Sequence, residues 1–212
     1  MEQAPESAPQ SSERAALLAA ILPHANFDGW GRMTLRRAAQ DLDMPLALAE
    51  DLFPRWPLDA ILFHIAQADE TMGERLRAEI QAEPLGVRAT LHRAIALRLA
   101  ESQPHKEAIR RAVLILSQPA YLYAASRATW RSVDAMWALV GVDRGLDYYS
   151  KRSLLAGVYS SVLLRWFQDQ SPGAEDTLAF ASAQLDRVVA VMKPLGKLRA
   201  RVKSRFAFGG QQ

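Results

Sequence analysis

The chain has 212 residues, half of them hydrophobic, which is enough for a single domain with a full hydrophobic core. It contains no cysteine, which excludes disulfides, zinc–thiolate sites and a cysteine nucleophile. Its longest apolar run, residues 135–142, is far shorter than the ~18 residues that a membrane-spanning helix needs, so we expect no such helix.

Charge is distributed unevenly along the chain. The net charge is +3, yet six of the 26 basic residues and none of the 23 acidic residues follow Met192. The chain up to Met192 is therefore mildly acidic, which argues against a broad nucleic-acid-binding surface, and nucleic acid is not an expected partner. The strongly basic tail needs an explanation of its own.

The N-terminal segment, residues 1–11, is rich in Pro, Ser and acidic residues and is expected to be disordered. It has neither the apolar core of a secretory signal nor the Arg-rich pattern of a mitochondrial presequence, so we expect a cytoplasmic protein. Ser12 is a candidate N-cap for the first helix. We expect the breaker Pro23 and the turn-rich sequence Asn26–Gly29 to end that helix.

Two short helices around a tight turn are predicted next, from Met33 to Asp43 and from Leu46 to Leu52. This outline resembles the N-terminal helix-turn-helix of TetR-type regulators, and the residues that correspond to that family's pattern are Gly29, Thr34, Ala38 or Ala39, Leu42 and Phe53. In those regulators the second short helix enters the major groove of DNA. Here that helix has no Arg, Lys, Ser, Thr, Asn or Gln, and Glu50 and Asp51 would face a polyanion. We therefore expect the scaffold of a regulator without its DNA-reading surface.

The rest of the chain has helical apolar spacing and no sustained period-two alternation, which predicts an all-α protein. The predicted helices run from Leu58 to near Pro84, Leu85 to Ser102, Pro104 to Leu116, Tyr121 to Val142, Lys151 to Gln168 and Glu175 to Met192. We expect one TetR-like helical domain over residues 12–192, with a loop over Gly141–Gly145.

The predicted helix Lys151–Gln168 is the centre of this arrangement, and we expect it to be nearly buried. On a helical wheel its large apolar side chains share one face: Leu155, Tyr159, Val162, Leu163, Trp166 and Phe167. Small side chains lie on the opposite face: Ser153, Gly157, Ser160 and Ser161. The large face suits either a packed core or the wall of an apolar cavity.

The sequence has no recognisable catalytic apparatus. Its four histidines lie in separate segments without a carboxylate at ligand spacing, and each is expected to be a surface or locally bonded residue: His24, His64, His92 and His105. There is no Gly-rich phosphate loop and no nucleophile elbow. We therefore predict no catalytic residue, no metal site, no cofactor and no enzymatic activity.

The basic tail has an amphipathic pattern from Pro194 to Phe208. Apolar residues form a stripe that basic residues surround, and those expected to touch a membrane are Leu195, Lys197, Leu198, Arg201, Val202, Lys203, Arg205 and Phe206. Such a helix lies in the plane of an anionic membrane, with each surface cation contributing ~1 kcal/mol. We predict a membrane-binding helix and tail over residues 193–212. The alternative is a last helix docked on its own domain.

Three segments resemble the coenzyme Q biosynthesis accessory family whose members are called Coq-nine proteins: Leu22–Trp30, Val133–Trp137, and Asp147–Tyr159 with its continuation to Thr177. The resemblance covers most of the chain after Ser12 and is most specific in the last third. It implies a non-catalytic, lipid-binding protein that delivers polyprenylated quinone intermediates to the hydroxylase of ubiquinone synthesis. A TetR-like transcription regulator with a hydrophobic effector and a bare interaction scaffold are the alternatives.

The resemblance also implies a surface for the hydroxylase partner, which corresponds to Asp134, Met136, Trp137, Tyr148, Tyr149 and Arg152. The expected wall of a cavity for an isoprenoid quinone or other lipid comes from the central helix and its neighbours: Ile95, Leu99, Val113, Leu116, Met136, Leu155, Val162, Leu163 and Trp166. The expected location is peripheral, on the inner face of the cytoplasmic membrane. A homodimer is left open.

Overall fold

The computed structural model describes residues 8–141, 146–188 and 190. This part of the chain contains nine α-helices, three short 3₁₀ helices and no strand, which confirms the all-α prediction. The α-helices are α1 (Ala8–Asp28), α2 (Arg32–Asp41), α3 (Leu46–Leu52), α4 (Leu58–Ala82), α5 (Val87–Ser102), α6 (Lys106–Leu116), α7 (Leu122–Ala138), α8 (Leu146–Gln168) and α9 (175–188). The 3₁₀ helices are Gln103–His105, Pro119–Tyr121 and Pro172–Ala174.

Helix α1 is longer than predicted at both ends. It begins at Ala8, so residues 8–11 are helical rather than disordered, and it continues through Pro23 to Asp28. Proline costs an internal helix one hydrogen bond. Here Leu22 and Ala25, on either side of it, are buried in the core, and their packing holds the helix together. The helix ends at Gly29, which has φ 77° and donates its N–H to the Ala25 carbonyl.

The predicted helix-turn-helix is confirmed. Helices α2 and α3 are joined by a tight turn in which Asp43 adopts φ 51° and Met44 donates its N–H to the Ala39 carbonyl at 2.8 Å. Leu35 of α2 and Leu52 of α3 are buried in the same hydrophobic cluster as α1.

The buried apolar residues form two clusters. The first unites α1, α2 and α3 with the start of α4 and with α6. The second unites the end of α4 with α5, α7, α8 and α9. Helix α4 belongs to both clusters, so its length of 25 residues connects the two halves of the fold.

Helix α8 begins at Leu146, five residues before the predicted start. Its large face is buried as expected, with Leu155, Val162 and Trp166 at 1% exposure or less. The helix as a whole is only half-buried, because Ser153, Gly157 and Ser160 face solvent and Leu164 is 60% exposed. The prediction of a nearly buried helix is therefore wrong for the small-residue side.

The other helix ends differ from prediction by a few residues. Helix α7 ends at Ala138 rather than Val142, with Val140 in a turn that donates its N–H to the Trp137 carbonyl. Helix α9 begins at residue 175 as predicted. The amphipathic tail, including every predicted membrane-binding residue from Leu195 to Phe206, lies outside the described residues.

Among the described residues, no helix has the length and apolar character needed to cross a membrane.

Candidate functional site

A largely apolar cavity of about 290 Å³ lies where α4, α5, α6, α7 and α8 meet, between the two hydrophobic clusters. Its apolar walls are formed by Ile61, Ile65, Ile109, Ala112, Val113, Leu116, Leu122, Ala125, Ala128, Leu163, Leu164 and Phe167. Leu122 and Leu164 are 51% and 60% exposed, so these two side chains mark where the cavity opens to the surface.

The predicted wall residues divide into two groups. Val113, Leu116 and Leu163 line the cavity. The others are packed in the second hydrophobic cluster and do not line it: Ile95, Leu99, Met136, Leu155, Val162 and Trp166. Helical spacing identifies a buried face but not what the face is buried against, which is why it could not separate these groups.

A buried ion pair lies beside the cavity and joins α4, α5 and α7. Arg98, which lines the cavity, donates from Nε to Asp69 Oδ1 at 3.0 Å, and both side chains are only 6% exposed. Ser132 donates its hydroxyl to the other carboxylate oxygen at 2.8 Å. Burial raises the pKa of Asp69, although Arg98, Ser132 and Arg131 favour its charged form. Each charge is thus compensated within the fold.

His64 and Tyr159 add two neutral polar groups to the cavity wall. Burial, together with the charges of Arg98 and His105, lowers the pKa of His64 to about 3, so its imidazole is neutral at physiological pH. Burial likewise raises the pKa of Tyr159, so its phenol stays protonated. The Nε2 atom of His64 is shielded from solvent and has no hydrogen-bond partner among the described residues.

The prediction that every histidine is a surface or locally bonded residue is wrong for His64. It does hold for His24, which pairs with Asp41 at 2.7 Å, and for His92, whose Nε2 lies 3.1 Å from the Leu178 carbonyl. Nothing in the spacing around His64 distinguished it from the others, because its environment is made by residues of α5 and of the segment around His105.

A signal for the ion pair was present in the sequence. Asp69 lies in phase with Ile65, Met72 and Leu76 on the apolar stripe of α4. A charged residue in such a position is buried, and a buried charge needs a partner.

A second constellation lies at the start of α8 against α7. Arg152 donates from Nε to Asp134 Oδ1 at 2.5 Å, and its guanidinium stacks 3.6 Å from the centre of the Tyr148 ring. Tyr148 donates its hydroxyl to the same Asp134 oxygen at 3.0 Å. Tyr149 is 61% exposed, and its ring centre lies 6.1 Å from that of Trp130, a residue that sequence reasoning missed. We call Trp130, Asp134, Tyr148, Tyr149 and Arg152 the aromatic cluster.

Two of the predicted partner-binding residues lie beneath this surface. Met136 is fully buried and Trp137 is 3% exposed, both in the second hydrophobic cluster. Lys151 lies over the Trp137 ring, with Nζ 5.6 Å from its centre. Met136 and Trp137 therefore support the α7–α8 contact from inside, whereas Tyr149 is exposed at the surface.

Asp169 organises the loop between α8 and α9. Its carboxylate accepts hydrogen bonds from the Ser171 N–H at 2.7 Å, the Thr177 N–H at 2.8 Å and both hydroxyls of these residues. Burial opposes its charge, but these hydrogen bonds outweigh burial and lower the pKa of Asp169. Asp169 therefore caps the start of α9.

In the described part of the chain no group of three or more His, Asp or Glu side chains is placed to hold a metal ion.

Comparison with known proteins shows which family this chain is similar to. Residues 122–192, which include α7, α8 and the aromatic cluster, match the family model described as COQ9. The ubiquinone biosynthesis protein COQ9, mitochondrial, of Rattus norvegicus is 30% identical over 196 residues, which cover 89% of this chain and 61% of the rat protein. The chain is similar to the COQ9 proteins over most of its length. The resemblance found from the sequence is thereby confirmed.

Two further COQ9 proteins match with similar sequence identity and coverage. That of Homo sapiens is 30% identical over 172 residues, covering 77% of this chain and 54% of its own length. That of Xenopus tropicalis is 27% identical over 192 residues, which cover 87% of this chain and 59% of the frog protein. The chain thus spans about three-fifths of the length of the curated COQ9 relatives it matches.

A solved structure confirms the TetR-like fold. The TetR transcriptional regulator from Nitrosomonas europaea matches with a TM-score of 0.71, covering 84% of this chain and 98% of the regulator. The two sequences are 18% identical, so the likeness concerns the fold alone.

Proposed function

We propose that this protein is a non-catalytic accessory protein of ubiquinone biosynthesis, which holds an isoprenoid quinone intermediate in the cavity between α4 and α8 and presents it to the ring hydroxylase at the membrane. The observation that carries the proposal is an apolar cavity of about 290 Å³ in a chain that is similar to COQ9 proteins. A prenyl chain is almost wholly apolar, so burying it is favourable at roughly 25 cal/mol per Å² and needs few polar contacts.

The size of the cavity bears on how such a lipid fits. Ligand pockets in proteins measure about 300–1,000 Å³, so this cavity, at about 290 Å³, is just below that range. It accommodates a ring and the first isoprene units, and a longer chain has to leave through the opening. Leu122 and Leu164 offer that chain an apolar exit.

A non-catalytic role agrees with the chemistry of the cavity wall. Among the described residues of that wall, Arg98 is the one charged side chain and it is paired with Asp69, while the other polar groups are hydroxyls and a neutral imidazole. Catalysis by general acid and base requires a group whose pKa lies near the working pH. The pKa values of His64 and Tyr159 are shifted away from it, which favours binding over proton transfer.

The aromatic cluster is our candidate for the hydroxylase-binding surface. Aromatic and arginine side chains are enriched at the centres of protein interfaces, and Tyr149 offers a largely exposed ring beside Trp130. The basic tail over residues 193–212 remains our candidate for the membrane contact, on the inner face of the cytoplasmic membrane. The curated relatives are described as mitochondrial.

The test of the proposed function is deletion of the gene in its own organism, followed by quinone analysis. We expect ubiquinone to fall and a late prenylated intermediate to accumulate, and re-expression of the wild-type chain to reverse both effects. Normal ubiquinone with no accumulated intermediate would overturn the proposal.

A transcription regulator is the second candidate, favoured by the TetR-like fold. Its reader helix would be α3, which carries no basic, amide or hydroxyl side chain and exposes Glu50. Sequence-selective, salt-sensitive binding of promoter DNA by the purified protein would support the regulator and contradict the accessory role.

A further inference from the structure

Exposed apolar side chains surround the opening of the cavity. Leu122 and Leu164 line the cavity and are both more than half exposed. Tyr123 follows Leu122 on α7 and is 76% exposed. Leu114 is exposed on α6, one turn before Ser117, which also lines the cavity. Large apolar side chains that are exposed as a group mark a contact surface, and we call Leu114, Leu122, Tyr123 and Leu164 the mouth patch.

The helices that carry the mouth patch are depleted in acidic residues. Residues 108–133, which include most of α6 and α7, contain four arginines and no acid. Residues 148–168, which form most of α8, contain three cations and no acid. All 23 acidic residues therefore lie in other segments, and none of them follows Met192. An exposed apolar surface in acid-free stretches of an otherwise acidic body favours an anionic partner over a cationic one.

Two arginines flank the mouth patch directly. Arg127 lies one turn after Tyr123 on α7, Arg165 follows Leu164 on α8, and both are exposed. In the part of the chain that the structure describes, neither forms an ion pair, although the Arg165 guanidinium lies 5.9 Å from the centre of the Phe180 ring. Proteins contact an anionic lipid surface with cations placed beside apolar side chains, because the apolar groups enter the acyl layer while the charges stay at the phosphates.

We propose that the mouth patch is a second membrane-contact surface, which turns the opening of the cavity toward an anionic bilayer. A lipid then enters the cavity without passing through water, where its apolar surface would be unfavourably exposed. The patch sets the orientation of the protein, whereas the tail over residues 193–212 attaches it. A patch of four apolar side chains and two cations is sufficient for this purpose, because attachment through the tail makes its contact with the bilayer effectively intramolecular. The inference rests on the part of the proposed function that brings the protein to a membrane.

The absence of cysteine from the chain allows a fluorescent label to be placed at one chosen position. Tyr123→Cys puts an environment-sensitive NBD label in the mouth patch. Met33→Cys is the control, because Met33 is an exposed apolar residue of α2, a helix that does not line the cavity. Both full-length proteins are bound to vesicles of phosphatidylcholine and phosphatidylglycerol that contain a nitroxide in the upper acyl chain. We expect a blue shift and a loss of fluorescence for the label at position 123, and neither change at position 33.

Charge reversal tests the electrostatic part of the contact. Arg127→Glu, introduced into the Tyr123→Cys protein, should reduce the quenching, because an anionic surface repels the new carboxylate. The amount of protein that sediments with excess vesicles should stay the same, since the tail is intact. Arg36→Glu makes the same change of net charge at an exposed position on α2 and should leave the quenching unchanged. Circular dichroism verifies that all variants are folded.

The outcomes separate this inference from the proposed function. If the labels at positions 123 and 33 are quenched equally in vesicle-bound protein, or if Arg127→Glu and Arg36→Glu have equal effects, the mouth patch is not a membrane-contact surface, and the proposed function is unaffected. A label at position 123 that is shielded only after the hydroxylase is added would assign the patch to a protein partner and overturn the inference. A full-length protein that does not bind the vesicles would contradict both the inference and the membrane part of the proposed function.

Discussion

Replacing Asp69 by Asn should destabilise the fold more than any surface substitution. The side chain keeps its size but loses its charge, so Arg98 remains buried without a counter-ion, and the acceptor of the Ser132 hydroxyl is weakened. Removing one partner of a buried ion pair costs about 3–5 kcal/mol. For a domain of this length each kcal/mol corresponds to roughly 2–4 °C, so the melting temperature should fall by about 6–20 °C.

The same two helices offer a control. Glu79 of α4 pairs with Arg93 of α5 through two hydrogen bonds of 2.6 Å, but this pair lies at the surface, with side chains 37% and 48% exposed. Glu79→Gln should therefore change the melting temperature little, because water replaces the lost partner. A double variant, Asp69→Leu with Arg98→Met, should be more stable than Asp69→Asn, since it removes both buried charges together.

Urea unfolding followed by circular dichroism measures these differences directly. If Asp69→Asn and Glu79→Gln lower the midpoint equally, or if the double variant is less stable than Asp69→Asn, then the buried pair is not the α4–α5 link that the geometry indicates. That result would also weaken the case for a charge-balanced cavity wall.

Three further predictions concern other parts of the chain. Asp169→Ala should lower the free energy of unfolding by about 1–2 kcal/mol, because it removes the cap of α9. Since the folded state lowers the pKa of this carboxyl, its contribution is present above the ordinary value of 3.8 and is lost in stronger acid, where variant and wild type should converge in urea titrations. Tyr149→Lys should abolish binding of the hydroxylase in a pull-down while leaving helicity intact, whereas Tyr123→Lys, at a residue 76% exposed on α7, should not affect binding. Removing residues 194–212 should abolish binding to vesicles of anionic lipid without lowering the melting temperature, and the intact chain should lose much of its preference for those vesicles in 1 M salt, where the Debye length is about 3 Å.

Each of these predictions has an outcome that contradicts it. A fully stable Asp169→Ala protein would mean that the loop is held by other contacts. An unfolded Tyr149→Lys protein would show that the ring is needed for the fold rather than for a partner. Unchanged vesicle binding after truncation, or a much lower melting temperature, would make the tail a structural element.

Within residues 8–141 and 146–188, apolar periodicity was sufficient to predict the number and order of the α-helices, because each helix has to bury one face. It did not predict that α1 continues through Pro23, since the packing of Leu22 and Ala25 that compensates for the lost hydrogen bond comes from other helices. Similarly, the exposure of Leu164 depends on which neighbours α8 has, and a helical wheel does not contain that information.

The candidate site was predicted less completely than the fold. Val113, Leu116 and Leu163 were identified as cavity residues, but nothing in the pattern separated them from core residues such as Trp166, whose indole donates to Gln103. The polar part of the cavity is made by residues far apart in sequence. Asp69 could have been recognised as a buried charge from its place on the apolar stripe of α4. The burial of His64 could not have been recognised in this way, because the lack of a hydrogen-bond partner for its Nε2 depends on how the helices pack.

Native mass spectrometry of the protein purified from membranes tests the central claim most directly, namely that the cavity holds an isoprenoid lipid. We expect the wild-type protein to carry a prenylated quinone or quinone precursor. Val113→Trp, which fills the cavity, should carry none, and Val87→Trp, at an exposed position on α5, should carry as much as wild type. A wild-type protein without bound lipid, or equal occupancy in both tryptophan variants, would contradict the account.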